Sequence, residues 1–166
     1  MKDIKWGGSG IEYVVFEYIK EKLPKDPVII ELGGGDCSTR AFSNIAKLYT
    51  IEHNNNFLKH TELTNYIYAP IIDGWYDVEK VVSSLPSDYN MIFLDGPSGH
   101  NMWLRDGILK NLHIFKKNTP FVIHDVWRDE DRRLAIDIAK CLEKEVEFYN
   151  YGNPSDHWAF IGDNQK

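Results

Sequence analysis

The hydrophobic pattern of this chain changes repeatedly between a helical period and short apolar runs that are typical of buried strands. Apolar residues at positions 11, 14, 15, 18, 19 and 23 lie on one face of a predicted helix, which Pro24 and Pro27 bring to an end. A short apolar run, Val28–Leu32, follows and predicts the first strand. Helix and strand then alternate along the chain, which is typical of a parallel sheet with helices on both faces.

The full pattern predicts five helix–strand units and a terminal hairpin. After the first strand, the predicted strands are Leu48–Glu52, Tyr66–Ile72, Tyr89–Leu94, Phe121–Ile123, Val146–Tyr149 and Trp158–Ile161. The predicted helices between them are Ser38–Lys47, Asn54–His60, Trp75–Leu85, Asn101–Leu112 and Asp129–Leu142. Gly, Asn and Pro in residues 151–156 favour a turn between the last two strands. We therefore expect a doubly wound α/β fold whose seven-stranded sheet is mostly parallel and ends in an antiparallel hairpin.

Composition restricts the class of protein and of partner. A chain of 166 residues, 43% of them hydrophobic, is expected to form one globular domain spanning residues 1–166. Its formal net charge of −6, without a run of Lys and Arg, disfavours nucleic acid as a partner. No apolar stretch approaches the ~20 residues of a membrane span, and the opening residues lack a signal-peptide pattern. Cys37 and Cys141 have no zinc-site spacing. These features predict a cytoplasmic protein.

The most informative motif is the junction between the first strand and the next helix. Glu31 lies near the end of the strand, glycines occupy positions 33–35, and Ser38 lies near the start of the helix. Glycine adopts backbone angles closed to other residues and lets a ligand approach the main chain. A second acid, Glu52, ends the next strand, where a carboxylate can accept hydrogen bonds from two ribose hydroxyls. The two features predict a nucleoside-containing cofactor.

Two classes of cofactor use such a junction. Dinucleotide binding requires G-x-G-x-x-G, and Ser38 occupies the sixth position here. Glu31 is also a poor neighbour for a pyrophosphate but a good partner for an ammonium group. From Glu31 to Ser38, and at Glu52, the chain resembles the class I S-adenosylmethionine-dependent methyltransferases. Their first motif is acid-x-Gly-x-Gly followed by a small or hydroxyl residue, and an acid on their second strand binds the ribose.

The resemblance extends to the number of predicted strands and so covers nearly the whole chain. It implies a Rossmann-like methyltransferase domain that binds S-adenosylmethionine at the ends of the first two strands. Trp75 is either a surface on which the adenine stacks or a core residue of its own helix. The cofactor-binding residues that the resemblance implies are Glu31, Gly33, Gly35, Ser38, Glu52, Asp73, Gly74 and Trp75.

The ends of the fourth and fifth strands carry the residues predicted to act on the methyl acceptor. Asp95 begins the motif Asp-Gly-Pro, whereas amine-methylating members of the family usually have Asn/Asp-Pro-Pro-aromatic, so transfer to oxygen is favoured. A carboxylate with a pKa near ~3.9 is a weak base toward an alcohol, so Asp95 needs help from a histidine or a metal ion. The predicted catalytic residues are Asp95, His100, His124 and Asp125.

The segment around the fifth strand bears on both metal and substrate. Asp95 and Asp125 could hold Mg²⁺ or Mn²⁺, as in O-methyltransferases of the catechol type, but Val126 occupies the position of the third ligand in that type. The sequence from Val122 to Arg128 resembles that of the glucuronoxylan O-methyltransferase-like group, whose members methylate a hydroxyl of a glucuronic acid residue. That resemblance implies a carbohydrate or other small-molecule acceptor with Trp127 and Arg128 as substrate contacts. Trp127 replaces an Asp of the group's pattern.

The first hypothesis is thus a cytoplasmic O-methyltransferase that acts on a small molecule, a sugar or a polysaccharide. One alternative is an oxidoreductase that uses NAD or a nucleotide sugar, which Ser38 disfavours. Another is a non-catalytic protein of the same fold that binds a ligand or a protein. Residues 1–10 are expected to form an arm, either a lid over the cofactor or a flexible segment. The sequence is also compatible with a homo-oligomer.

Overall fold

The computed structural model describes residues 4–7, 10–97, 102–150 and 158–163, which form a main sheet, a small hairpin and five α-helices. The main sheet consists of β1 (Val28–Leu32), β2 (Lys47–Glu52), β3 (Thr64–Tyr68), β6 (Met91–Leu94), β7 (Phe121–His124), β8 (Glu145–Tyr149) and β9 (Trp158–Gly162). The hairpin consists of β4 (Ile71–Ile72) and β5 (Trp75–Tyr76). The α-helices are α1 (Tyr13–Lys22), α2 (Asp36–Ser43), α3 (Val78–Ser84), α4 (Ile108–Asn111) and α5 (Asp129–Leu142). Short 3₁₀ helices span Asn55–Phe57, Met102–Gly107 and Leu112–Ile114.

The order of strands in the main sheet is β3-β2-β1-β6-β7-β9-β8. The five neighbouring strands β3, β2, β1, β6 and β7 run parallel to one another. Strand β9 is antiparallel to both of its neighbours, β7 and β8. The chain therefore starts in the middle of the sheet, adds strands toward one edge, and then returns to build the other side. This arrangement confirms the predicted seven-stranded sheet with its antiparallel terminal hairpin. The turn predicted for residues 151–156 lies outside the described residues.

Each face of the sheet buries its own hydrophobic cluster. One cluster packs α1 and α2 on alternate strand residues, including Ile29, Phe93 and Val122. The other cluster packs α5 and the β4–β5 hairpin on the intervening residues, including Leu32 and Leu94. Burial on both faces explains why these strands appear in the sequence as nearly continuous apolar runs. Among the described helices, none is long and apolar enough to cross a membrane.

The region after β3 differs from the sequence-based expectation. The strand predicted to reach Ile72 ends at Tyr68, and a short hairpin follows in which Asp73 and Gly74 form the turn. Both turn residues have positive φ, 52° and 83°, as an Asp-Gly hairpin turn requires. The next helix begins at Val78 rather than Trp75, because the Asp77 carboxylate caps it by accepting a hydrogen bond from a backbone N–H.

The helix predicted over Asn101–Leu112 is also different. Its described part consists of 3₁₀ turns on either side of the single-turn α4. By contrast, the last helix has the bounds that the pattern predicts, Asp129–Leu142. The long helix has a strong amphipathic pattern and three acids in its first turn, whereas the shorter segment depends on tertiary packing for its shape.

Candidate functional site

The carboxyl ends of four parallel strands lie side by side. Leu32 of β1 pairs with Ile51 of β2 and with Leu94 of β6, and Leu94 pairs in turn with Ile123 of β7. The residue that follows each of these positions therefore reaches the same edge of the sheet. Ligands of open α/β sheets bind at this edge. The residues that come together there are Gly33, Glu52, Asp95 and His124.

The side chains at this edge also share one face of the sheet. Successive side chains of a strand point to opposite faces, and Ile29 of β1 packs in the cluster with α1 and α2. Glu31, two residues further on, points to the same face. The same alternation relates Leu48 to Glu52, Phe93 to Asp95 and Val122 to His124. We call Glu31, Gly33–Gly35 and Glu52 the glycine side of the site, and Asp95, His124 and the residues bound to them the histidine side.

Gly33 allows the turns after β1 and β6 to touch. It has φ of +94°, and a Cβ atom at this position would lie 2.5 Å from the backbone nitrogen of Gly96. The reverse holds for Gly96, where a Cβ atom would lie 2.5 Å from Cα of Gly33. Both residues must be glycine for the two turns to approach so closely. Gly35 precedes α2, and its N–H donates a 3.0 Å hydrogen bond to the Thr39 hydroxyl.

Glu31 is fully buried beneath the start of α2. Its Oε2 accepts hydrogen bonds of 2.7 Å from the hydroxyls of Thr39 and Thr50. Burial raises the pKa of Glu31 to about 7, although the nearby hydroxyls of Ser38, Thr50 and Thr39 act in the opposite direction. Its Oε1 has no hydrogen-bond partner among the described residues. Glu31 thus holds a proton more readily than an ordinary carboxyl group, and its buried Oε1 has no donor among the described residues.

Glu52 is held by the backbone around it. Oε2 accepts a 3.0 Å hydrogen bond from the N–H of Gly34, and Oε1 accepts 2.7 Å hydrogen bonds from the N–H groups of His53 and Asn54. Nδ1 of His53 also lies 2.9 Å from Oε1, whereas Oε2 accepts a hydrogen bond from Gly34 alone among the described residues and can accept a further one. The segment after β2 also lies close to the glycines, because a Cβ atom at Gly34 would lie 3.2 Å from the carbonyl oxygen of Phe57.

The three residues after the third strand that were predicted to bind the cofactor lie in the β4–β5 hairpin. Asp73 and Gly74 are exposed at the tip of the β4–β5 hairpin. Trp75 is only 1% exposed and packs in the core, with its ring 6.3 Å from that of Phe115. Of the two alternatives for Trp75, burial supports the core residue, although the residue lies in a strand and not in a helix. The next residue, Tyr76, brings its hydroxyl next to the turn at Gly96.

The histidine side is organised by a buried arginine, Arg105. Its Nη2 donates to Asp95, at 2.8 Å from Oδ1 and 2.5 Å from the carbonyl oxygen. Its Nη1 donates to Oδ1 of Asp131 at 3.1 Å and to the carbonyl oxygen of His124 at 3.3 Å. One guanidinium thus joins the ends of β6 and β7 to the first turn of α5.

His124 bridges two parts of the chain. Its Nε2 lies 3.1 Å from Oε2 of Glu12, while Nδ1 lies 3.5 Å from Oδ1 of Asp95 and 3.6 Å from Oδ1 of Asp125. Burial acts to lower the pKa of His124, but the charges of these carboxylates outweigh it and raise the pKa to about 10. His124 is therefore a cation at neutral pH, so it donates hydrogen bonds and is not a ready base.

Asp95 is held in the opposite state. Burial acts to raise its pKa, but the nearby His124, Arg105 and Arg128 lower the pKa of Asp95 below its ordinary value. Asp95 is ionised at neutral pH, and its side chain is 24% exposed. The histidine side therefore presents an imidazolium and a carboxylate close together.

Trp127 and Arg128 lie at the rim of this cluster. Asp125, whose φ is +62°, accepts a 3.3 Å hydrogen bond from Nε1 of Trp127 and forms a 2.8 Å ion pair with Arg128. The Arg128 guanidinium lies 5.2 Å from the centre of the Trp127 ring and 3.6 Å from Asp131. Trp127 is 44% exposed, which leaves ring surface open to a ligand. The structure thus brings together Asp95, His124, Asp125, Trp127 and Arg128, whereas His100 lies outside the described residues.

The charges of this cluster bear on whether it holds a metal. Asp95, His124 and Asp125 offer ligand atoms within 4.8 Å of one another. However, both carboxylates already form ion pairs with guanidinium groups, and His124 carries a proton where a metal ligand must be neutral. One nitrogen and two oxygens are also a poor match for the all-oxygen preference of Mg²⁺. The side chains of this cluster are therefore a poor fit for Mg²⁺.

Sequence reasoning missed three residues of the histidine side. Glu12 is 112 positions away from His124, and no spacing rule connects them. Asp131 is one of three acids in the first turn of α5, and it is buried against Arg105. Arg105 itself lies in a segment whose helical pattern was overestimated.

Several buried polar atoms near this edge of the sheet have no hydrogen-bond partner among the described residues. Such atoms are rare in native proteins, and each requires an explanation such as a ligand or a bound water. Within the described part of the chain, four of them belong to this site. They are Oε1 of Glu12, Oε1 of Glu31, the hydroxyl of Tyr76 and Nδ1 of His124.

Solved structures with this fold include several methyltransferases. SMU.1697c of Streptococcus mutans, assigned as a methyltransferase and crystallised with SAH, is 15% identical, with a TM-score of 0.60 over 89% of this chain and 94% of its own. An rRNA methylase from Streptococcus thermophilus is 13% identical, with a TM-score of 0.61 over 92% and 96%. Precorrin 8W decarboxylase from Methanobacterium thermoautotrophicum is 12% identical, with a TM-score of 0.64 over 96% of both chains.

The comparisons based on sequence give a different result. No family model matches the chain, and no curated protein matches it either. At identities of 15% or less, the structural likeness shows a shared fold. Function must therefore be argued from the site itself.

Proposed function

We propose that this protein is an S-adenosylmethionine-dependent methyltransferase that methylates an oxygen atom of a small molecule or carbohydrate. The observation that supports it most is the alignment of the glycine side with the histidine side on one face of adjacent strands. Gly33 and Asp95 follow paired residues of β1 and β6, and their turns are in contact. One ligand can therefore touch both sides.

The glycine side fits the cofactor. The open oxygen of Glu31 can accept a hydrogen bond from an ammonium group, which would favour its ionised form. Glu52 keeps an acceptor position for a ribose hydroxyl, and Gly33–Gly35 present backbone without side chains. The ammonium, the ribose and the close approach are the features that a sulfonium nucleoside with an amino-acid tail combines.

The histidine side fits an oxygen acceptor. S-adenosylmethionine, when bound, supplies an electrophilic methyl group. In this proposal the acceptor hydroxyl receives a hydrogen bond from Nδ1 of His124 and donates one to the carboxylate of Asp95. Asp95 is a weak base, which suffices because the hydroxyl proton becomes strongly acidic as the new bond to carbon forms. Arg105 holds the Asp95 carboxylate in place, which serves the alignment that methyl transfer requires.

The acceptor class follows from the rim and from the overall charge. The exposed face of Trp127 can stack on a sugar or an aromatic ring, and Arg128 can add a hydrogen bond to a carboxylate. One similar structure belongs to an rRNA methylase, but a net charge of −6 argues against a nucleic-acid substrate for this chain. The proposal is therefore an enzyme for small or carbohydrate acceptors.

The cofactor class is tested by isothermal titration calorimetry with SAH, NAD and UDP-glucose. Binding of SAH with displacement by S-adenosylmethionine is the expected result. Binding of NAD without binding of SAH would overturn the proposal in favour of an oxidoreductase.

The acceptor role is tested with Asp95→Asn and, as a matched control, Asp137→Asn, which changes an exposed carboxylate of α5. SAH release is followed with phenols, free sugars and uronate oligosaccharides as acceptors. We expect Asp95→Asn to abolish release while SAH affinity stays within a few-fold, and Asp137→Asn to behave as the wild type. Tight SAH binding without turnover on any acceptor would instead support a non-catalytic binding protein.

A further inference from the structure

The Tyr76 hydroxyl is buried near the glycine side of the site. The residue ends β5, it is fully buried, and its hydroxyl has no hydrogen-bond partner among the described residues. Burying an unpaired hydroxyl is unfavourable, and phenylalanine would fill the same space without that penalty. Tyr89, which is also largely buried, is an instructive contrast, because its hydroxyl accepts a 2.8 Å hydrogen bond from the N–H of Lys116.

The position of this hydroxyl connects it to the glycine side. A Cβ atom at Gly96 would lie 2.6 Å from the Tyr76 hydroxyl and 2.5 Å from Cα of Gly33. The hydroxyl therefore lies where the turns after β1 and β6 meet. Burial, and then the charge of Glu52, raise the pKa of Tyr76 well above its ordinary value, so the hydroxyl keeps its proton as a donor.

We infer that the Tyr76 hydroxyl is a further cofactor-binding group, which donates a hydrogen bond, directly or through one water, to a sugar hydroxyl of the adenosyl ligand. The sugar is the part of the ligand assigned to Glu52, and the Tyr76 ring lies 6.1 Å from the ring of His53, the residue that follows Glu52. This inference rests on the proposed function. It also explains why a tyrosine occupies a position where a phenylalanine would give a more stable free protein.

The test compares Tyr76→Phe with Tyr89→Phe and the wild type. Calorimetry measures the affinity for SAH and for its 2′-deoxy and 3′-deoxy analogues, and thermal unfolding measures the stability of the free proteins. We expect Tyr76→Phe to bind SAH about five- to tenfold more weakly, the effect of one hydrogen bond, without a lower Tm. Tyr89→Phe should lower Tm, because its hydroxyl is paired, and leave SAH affinity unchanged.

The deoxy analogues identify the contact. The difference between the wild type and Tyr76→Phe should disappear for the analogue that lacks the contacted hydroxyl. Equal SAH affinity in both proteins, or a difference that persists with both analogues, would overturn the assignment. A wild type that does not bind SAH at all would instead overturn the proposed function, so the two failures are distinguishable.

Discussion

Replacing Arg105 by leucine tests whether the histidine side is a buried ionic network. Arg105 gives hydrogen bonds to Asp95, Asp131 and the carbonyl oxygen of His124, and its side chain is 7% exposed. Removing one partner of a buried ion pair costs about 3–5 kcal/mol, because a buried charge remains unpaired. His124 still faces Asp95, and Arg128 still lies 3.6 Å from Asp131. We therefore expect Arg105→Leu to lower the free energy of unfolding by about 3 kcal/mol, the lower end of that range.

The pH dependence gives this prediction a second signature. Burial raises the pKa of Asp131 even with Arg105 present, and loss of the guanidinium should raise the pKa values of Asp131 and Asp95 further. A carboxyl group with a higher pKa in the folded state loses stability as pH rises from its unfolded to its folded pKa. The loss caused by Arg105→Leu should therefore be largest near pH 8 and shrink toward pH 4.

Urea unfolding of the wild type and Arg105→Leu at pH 8 and pH 5 measures both effects. Lys20→Met serves as a control that removes an exposed ion pair with Glu17 and should change stability by less than ~0.5 kcal/mol. The double variant Arg105→Leu/Asp131→Leu should recover part of the loss, since it replaces a buried ion pair by apolar side chains. A loss below ~1 kcal/mol that does not depend on pH would refute the buried network.

Three further predictions concern the same edge of the sheet. Because the pKa of Glu31 is raised to about 7, its charge costs stability as pH rises from about 4.5 to 7, so Glu31→Gln should remove about 3 kcal/mol of pH dependence in urea unfolding. In Gly33→Ala the new Cβ would lie 2.5 Å from backbone at a φ of +94°, so this variant should unfold at a much lower urea concentration than the wild type. Gly74→Ala has positive φ but open space around the Cβ, so its free energy of unfolding should fall by only about 1 kcal/mol. Glu12→Gln should lower the pKa of His124 measured by NMR, because one of the interactions that raise it is removed; an unchanged pKa would show that Glu12 does not act on the imidazole.

The sheet could be predicted from the sequence because local pattern and global fold agree in it. Strands buried on both faces are nearly continuous apolar runs, and the helix Asp129–Leu142 has both its period and its acidic first turn. The β4–β5 hairpin was missed because two-residue strands have no period to detect. Its Asp73-Gly74 turn is nevertheless a hairpin signal, which the longer predicted strand obscured.

The residues of the site also fall into those that could be predicted from the sequence and those that could not. Residues that end a strand were found because in-register parallel strands carry them to one edge, and this includes Glu52, Asp95 and His124. Residues that reach the edge from elsewhere were missed, as Glu12 and Arg105 were, since their contacts depend on how α1 and a 3₁₀ segment pack. The protonation states were missed for the same reason. His124 was expected to assist as a base, but the surrounding carboxylates keep it charged.

The charge balance of the histidine side connects the fold to the proposed chemistry. Four carboxylates, Glu12, Asp95, Asp125 and Asp131, face three cationic groups, Arg105, Arg128 and the imidazolium of His124, so one negative charge remains. That charge favours a cationic ligand such as a sulfonium over a pyrophosphate. Methyl transfer neutralises the sulfonium and releases a proton, which the same negative cluster can accept. The arrangement thus suits a reaction in which a positive charge moves from sulfur to the cluster, and it does so with side chains that are already held in place.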